Sequence, residues 1–305
     1  MNPQSSSIPR WLPYVVLAVG LVAISFGAIL ARYAQGYGLP SLAIAALRLG
    51  LAALLVTPVA LLQSRRALSR LTRQQIMMAL GAGFFLALHF ASWISSLEYT
   101  SVASSTALVT TNLLWIGLAS FLLFGHRPNR LMSLGIIVSL TGSALVFWSD
   151  HARGDAASGS DPLLGNTLAV IGSWCFSAYL LLGRRLRADM PLAAYIWLAY
   201  GVAALFLLLA CHGAGVPLSG YSALAYLVAL GMAVGPQLLG HTSYNWSLKH
   251  VSPTFVALVT LGEPVGSAAM AWLLFGESFA PLQSLGIALL LAGIFLAAKG
   301  ESASA

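Results

Sequence analysis

The sequence predicts an all-α integral membrane protein of ten transmembrane helices in two inverted five-helix repeats, and three observations carry that prediction. Fifty-nine per cent of the 305 residues are hydrophobic and eight per cent charged, against about 25% charged in ordinary soluble domains. Such a chain cannot furnish a polar surface, whereas a bilayer accepts outward apolar side chains provided that backbone groups are satisfied within helices. Apolar runs of about 17 to 25 residues, the length of a helical span and well above the roughly ten of a barrel strand, recur ten times. The second half then repeats the first at a nearly fixed offset of 151 positions.

The runs lie between Gly, Pro and charge clusters. The first, 12–33, follows the single charge of Arg10 and could imitate a secretory leader; it is counted as a retained span because the repeat needs it. Runs 40–62, 75–97, 102–124 and 131–148 complete a first unit, residues 1–150. The longest loop, "SDHARGDAASGSDP" at 149–162, marks a connector assigned to 151–163. Runs 164–183, 191–212, 222–245, 253–276 and 281–298 make the second unit, residues 164–305. One side of this topology collects Arg10, Arg65, Arg66, Arg70, Arg73, Arg127, Arg130, Arg184, Arg185, Arg187, Lys249 and Lys299, whereas the other has Arg32 and Arg153. The positive-inside rule then places both termini in the cytoplasm, and a wrong span count would scramble the asymmetry.

Specific matches define the repeat. "SLEYTSVASSTALVT" (96–110) answers "SLKHVSPTFVALVT" (247–260), "LLFG" (122–125) answers "LLFG" (273–276), and "SLGI" (133–136) answers "SLGI" (284–287). Gly142 falls on Gly293, and Gly50 with "AAL" falls on Gly201 with "AAL". Five spans per half is an odd number, so the second half enters upside down, the arrangement that lets a midplane site open to either side in turn. That points to a transporter, with a small-molecule substrate and the lipid bilayer as its partners. Ten spans can enclose a cavity within a monomer.

On these residues the chain resembles the EamA branch of the drug/metabolite transporter superfamily. "LRLGLAALLVTPVAL" in the second span, "GEP…AWLLFGE" in the ninth and "SLGIALLLAGIFLA" in the tenth carry the likeness, which covers nearly the whole chain. The resemblance implies a bacterial inner-membrane exporter of amino acids or other metabolites, from a family that includes an aromatic amino-acid exporter. One departure is visible: Glu277 after "LLFG" is the family's usual glutamate, but His126 stands at the matching first-half position.

Polar groups in the hydrocarbon core are expensive, so each is a candidate for function. Glu263 lies ten residues into its span, roughly 15 Å deep, and Arg48 comes out roughly 18 Å from the cytoplasmic face, level enough to pair. In "GEP", Gly262 lacks a side chain and Pro264 favours the first position of a helix, so Glu263 reads as the cap of a second half-helix. It has two compatible readings, a cap that neutralises Arg48 or a cavity wall that meets an ammonium group or a proton. Asn112 occupies almost the same place in the first repeat without a proline, as cavity lining or as an interhelical hydrogen bond. "VGPQ" makes Gly235 and Pro236 a second interruption and leaves Gln237 near mid-depth, at a kink or in the pathway. Trp174, Tyr200, Trp197 and Trp115 reach similar depths, where an N–H or O–H wants a partner; they read as core packing singly and as a wall for flat or apolar solutes together. His89, Trp93 and His241 are assigned no role beyond gate or interface.

Other classes fit less well. The net charge of +7 resides in Arg-rich loops, and no basic face is interleaved with aromatics, so nucleic acid is not an expected partner. Cys175 and Cys211 lie in apolar segments, so no disulfide framework is expected. No Walker motif, HExxH or recognisable protease context occurs, so neither a cofactor nor a metal nor a catalytic residue is expected and the chain does not read as an enzyme. The competing reading is efflux of cationic drugs or polyamines with Glu263 as counter-ion.

Overall fold

The computed structural model describes residues 9, 11–112, 114–116, 129–153, 159–247, 250–251 and 259–302. Among them the chain forms ten helical elements and no strand. These are α1 Leu12–Gly36, α2 Ser41–Leu68, α3 Arg73–Tyr99, α4 Val102–Val109, α5 Arg130–Arg153, α6 Pro162–Asp189, α7 Leu192–Gly213, α8 Ala223–Ser247, α9 Gly262–Phe275 and α10 Pro281–Ser302. α1, α2, α3, α5, α6, α7 and α8 are each long and apolar enough to cross a membrane. The end of the fourth run, its "LLFG" and His126, the charges of Arg10, Arg127 and Lys249, and residues 252–258 of the ninth run lie outside the described residues.

Polarity is distributed as a bilayer requires. Leu62 is 85% exposed and Leu273 69%, whereas Arg48 is 1% exposed. Outward leucines and an inward guanidinium invert the pattern of a water-soluble fold.

The helices overrun several expected boundaries because arginine does not stop a helix. α2 continues through Arg65 and Arg66, and α6 through Arg184, Arg185 and Arg187. Arginine is a good helix former, and its charge is favourable against the negative end of the helix dipole. α5 likewise reaches Arg153, and Asp161 caps α6 by accepting from the Leu164 N–H at 3.1 Å.

Proline acts differently in α8. Residues Ala233–His241 form a π-helical stretch around Pro236. A proline ring lacks an N–H and crowds the carbonyl four residues back, and widening the turn relieves both problems.

Both fourth helices break at the same register. α4 gives way to a turn at Thr110 and Thr111 before helix resumes at Asn112, and the turn at Leu261 precedes α9, 151 positions after Thr110. No proline is present in the first break. Instead the Thr110 hydroxyl donates to the Ala107 carbonyl at 2.8 Å and the Thr111 hydroxyl to that of Leu108 at 2.7 Å, bonds that compete with the helical ladder.

Packing between the halves is unchanged when the halves are exchanged. α1 packs on α8 and α3 on α6; α2 packs on α7, α4 on α9 and α5 on α10, each pairing like with like. The α5–α10 seam is antiparallel and closes on glycines. A Cβ on Gly135 would stand 2.6 Å from the Gly293 carbonyl oxygen, and one on Gly142 would stand 2.6 Å from that of Gly286. Backbones approach this closely only where side chains are absent.

Replacing Gly142 by Leu should therefore separate α5 from α10 and lower stability by about 1–3 kcal/mol or more. Gly50→Ala should be nearly neutral, since nothing lies within 4 Å of the point its methyl group would occupy. Thermal unfolding of the purified protein in detergent distinguishes the two.

Candidate functional site

A cavity of about 70 Å³ lies inside the bundle, between the two helix breaks. Asn112 from the fourth helix of the first half and Glu263 from that of the second both line it, with Thr110 and Thr260 beside them. Arg48 of α2 forms a third polar corner. The apolar walls come from Ile24 and Gly27 of α1, Phe90 and Trp93 of α3, and Phe176 of α6.

Arg48 is held from two sides. Its Nε donates to the Gln237 Oε1 at 2.8 Å, and its guanidinium carbon sits 4.1 Å from the centre of the Phe90 ring. The π-helical stretch carries Gln237, so the helix irregularity and the arginine's acceptor coincide. The Arg48 Nη1 and the Gln237 Nε2 are buried and have no hydrogen-bond partner among the described residues. Glu263 lies within electrostatic reach of Arg48 without an ion pair inside 4.0 Å, so Gln237 takes the direct contact expected of the carboxylate. Depth along a span places two residues at one level but not on facing sides, which explains the difference. Glu263 lies in the first turn of α9, whose cap is Leu261, rather than at the cap itself. The positive end of the helix dipole still favours it there. Gly262 lets α9 approach Leu21 of α1, whose methyl would stand 2.8 Å from an added Cβ; Pro264 is buried in the same turn, and a Cβ on Gly235 would meet open space.

The remaining expected residues lie elsewhere. Trp174 is 50% exposed on α6 and meets Trp115 edge-on at 5.4 Å. Trp115 donates its Nε1–H to the Thr111 hydroxyl at 3.0 Å, which supports the α4 break. Trp197 donates to the Thr57 hydroxyl at 2.9 Å and ties α7 to α2. Tyr200 is fully buried in α7 and is not among the cavity-lining residues.

Sequence reasoning assigns no substrate-binding role to the aromatic group that does line the cavity. His89 donates its Nδ1–H to the Gly172 carbonyl at 2.9 Å, stacks parallel to Trp93 at 6.2 Å and meets Phe176 at 4.6 Å. His241 and Tyr244 approach from α8. The signal is present in the spacing: His89 and Trp93, four residues apart, share one helix face with Phe90.

A second polar cluster closes the arginine-poor end. Glu277 accepts from the Val102 N–H at 3.0 Å, capping α4, and pairs with Arg32 at 3.5 Å; Arg32 also donates to the Thr100 carbonyl at 2.6 Å. Asp150 accepts from Asn166 at 2.8 Å and from Gln283 at 3.0 Å, and Gln283 donates to Ser104 at 2.9 Å. Burial raises the Glu277 carboxyl above its ordinary 4.5, against the pull of Arg32 and of the Val102 and Ala103 N–H groups.

Apolar helices around an internal cavity with a guanidinium, an amide and a carboxylate at its corners define a multi-pass membrane transporter. The chain belongs to the EamA-like transporter family, which matches it twice, over residues 11–148 and 163–299. It is 26% identical over 304 residues to the threonine/homoserine exporter RhtA of Escherichia coli, covering 97% of this chain and 95% of that protein. An uncharacterized transporter of Clostridium kluyveri is 24% identical over 202 residues; the match takes in 65% of this chain and 64% of that protein, less than two thirds of its length. A solved crystal structure with 19% identity superposes with a TM-score of 0.64 over 95% of this chain and 97% of its own, a likeness of fold.

Two substitutions check the geometry. Gln237→Leu should strand the buried Arg48 Nε and cost about 1.5–3 kcal/mol in thermal unfolding, as loss of a hydrogen bond to a charged group does. Because the folded Glu277 carboxyl titrates above 4.5, its burial cost is absent below that pH and grows as pH rises through the folded value. Glu277→Gln should therefore flatten the decline in stability as pH is raised from 4.5, measured as melting temperature against pH.

Proposed function

We propose that the protein is a secondary transporter that exports small zwitterionic metabolites, foremost amino acids, across a bacterial inner membrane by alternating access. The observation that carries the reading is the position of the cavity. It lies where the fourth helix of each half breaks, with Asn112 contributed by one half and Glu263 by the other. The exchangeable packing of the halves and the antiparallel α5–α10 seam support an inverted repeat, and hence two conformations that swap the roles of the halves. On the positive-inside rule both termini are cytoplasmic and the Arg32–Glu277 cluster is external. Substrate contacts are assigned to Asn112, Glu263 and Arg48; Gln237 holds Arg48 from outside the cavity wall, Tyr200 packs in the core, and Trp174 and Trp115 brace α4 and α6.

Size and chemistry narrow the cargo. A volume of about 70 Å³ is about half of the roughly 150 Å³ that holds a benzene molecule. An amino acid therefore requires a widened state, in which Phe90, Trp93 and Phe176 suit an apolar or aromatic side chain. The relationship to RhtA, named for threonine and homoserine, supports the amino-acid class. Efflux of cationic drugs or polyamines is disfavoured by Arg48, a cation on the same cavity. The assigned groups bind solute and perform no bond chemistry, so the reading is of a carrier and not an enzyme.

Purified protein in liposomes should give saturable uptake and counter-exchange of labelled threonine, leucine or phenylalanine. Movement of none of the standard amino acids, under an imposed gradient or in exchange, would refute the proposal.

A further inference from the structure

We infer that the cavity is a zwitterion clamp in which Arg48 takes the α-carboxylate of a free amino acid and Glu263 takes its α-ammonium group. The inference rests on the amino-acid reading and specifies how that substrate is recognised. Arg48 is 1% exposed, its Nε is committed to Gln237, and its Nη1 has no partner among the described residues. A buried donor of this strength is costly to leave idle. Glu263 faces the same cavity and makes no hydrogen bond to any described residue, yet it does not close on Arg48. The two charges are thus presented to one space and kept apart.

A ligand with one charge satisfies half of this arrangement and leaves the other ion unpaired in a low dielectric. An α-amino acid carries a carboxylate and an ammonium group on one carbon, so it bridges both and keeps the cavity neutral. The guanidinium matches a carboxylate with directed, charge-assisted bonds. The Asn112 amide, which also has no side-chain hydrogen bond to a described residue, is placed to assist either group. Gln237 acts as a positioning residue: it fixes the rotation of the Arg48 fork through Nε and leaves the outer nitrogens for ligand.

The test is equilibrium binding to purified protein in detergent, read by thermal shift and by fluorescence of Trp93 in the cavity wall, with threonine and leucine as probes. Their N-acetyl derivatives lack the ammonium group, and the corresponding amines lack the carboxylate. Both should bind at least tenfold more weakly than the parents. Glu263→Gln should shrink the discrimination against the N-acetyl forms, and Arg48→Gln the discrimination against the amines. Glu263→Gln is nearly isosteric at a partly buried position, so it remains informative if the Arg48 variant does not fold. If liposomes move an amino acid while the N-acetyl and amine forms bind as tightly as the parent, the clamp is overturned and the export reading stands. If no amino acid binds or moves, both fall.

Discussion

A guanidinium buried in a helical bundle whose outside faces hydrocarbon constrains everything packed around it. Arg48 is 1% exposed, so its charge must be met chiefly by groups already inside the bundle and by whatever occupies the cavity it lines. Phe90 and Trp93 meet its face from α3, spaced so that one helix side presents both rings, and Gln237 meets its edge from α8. Three helices are thereby fixed about one cation. The π-helical stretch belongs to the same solution, since the widened turn that accommodates Pro236 carries the residue that accepts from Arg48. Had Glu263 filled that role, the charges would have neutralised each other and little reason for an open space would remain.

Two structural devices let so few polar groups suffice. The α5–α10 seam brings backbone against backbone through Gly135, Gly142, Gly286 and Gly293, with the small side chain of Ser139 at its centre donating to the Leu290 carbonyl at 3.0 Å. At the arginine-poor end, Glu277 caps α4 from the loop after α9, while Asp150, Asn166 and Gln283 connect α5, α6 and α10. Polar side-chain bonds gather at that end and around Arg48, and the seam combines close van der Waals packing, which the bilayer does not weaken, with the Ser139 and Asn129 bonds to α10 carbonyls.

Much of this is legible in the sequence, for reasons that also mark where legibility stops. Apolar length and Gly/Pro punctuation delimit eight of the ten runs close to their observed bounds, because a bilayer tolerates little else; the fourth and ninth runs are broken, at Thr110 and Leu261, and extend outside the described residues. Arginine reads as a boundary at α2 and α6, where it extends the helix instead. The break before Asn112 escapes a reading by proline because Thr110 and Thr111 do what a proline does in the other half, and hydroxyl back-bonding has no unique spelling. Depth can be counted from residue number, which places Arg48, Asn112 and Glu263 at one level. Azimuth cannot, because each residue advances by about 100° and the bearing of a neighbouring helix is not written in its own sequence. Trp174, half exposed on α6, shows the consequence: correct depth, outward face.

Asymmetry within the repeat bears most directly on the cargo. The position matching Arg48 at an offset of 151 is Ala199, which is buried and apolar, and the position matching Glu263 is Asn112. A duplicated pair of carboxylates and guanidiniums would have allowed every charge to close on a partner, leaving nothing for a ligand. Keeping one of each, on opposite units and short of contact, gives a cavity with no net charge from this pair but a strong internal dipole. The imidazoles of His89 and His241 share the wall, with His89 held by the Gly172 carbonyl rather than by either ion. On the proposed clamp, such a space would discriminate by the arrangement of charge within a solute, not by net charge. A bound zwitterion would then screen the attraction between Arg48 and Glu263 that otherwise draws the two halves together, which would couple occupancy to the relative position of the halves through the same two residues.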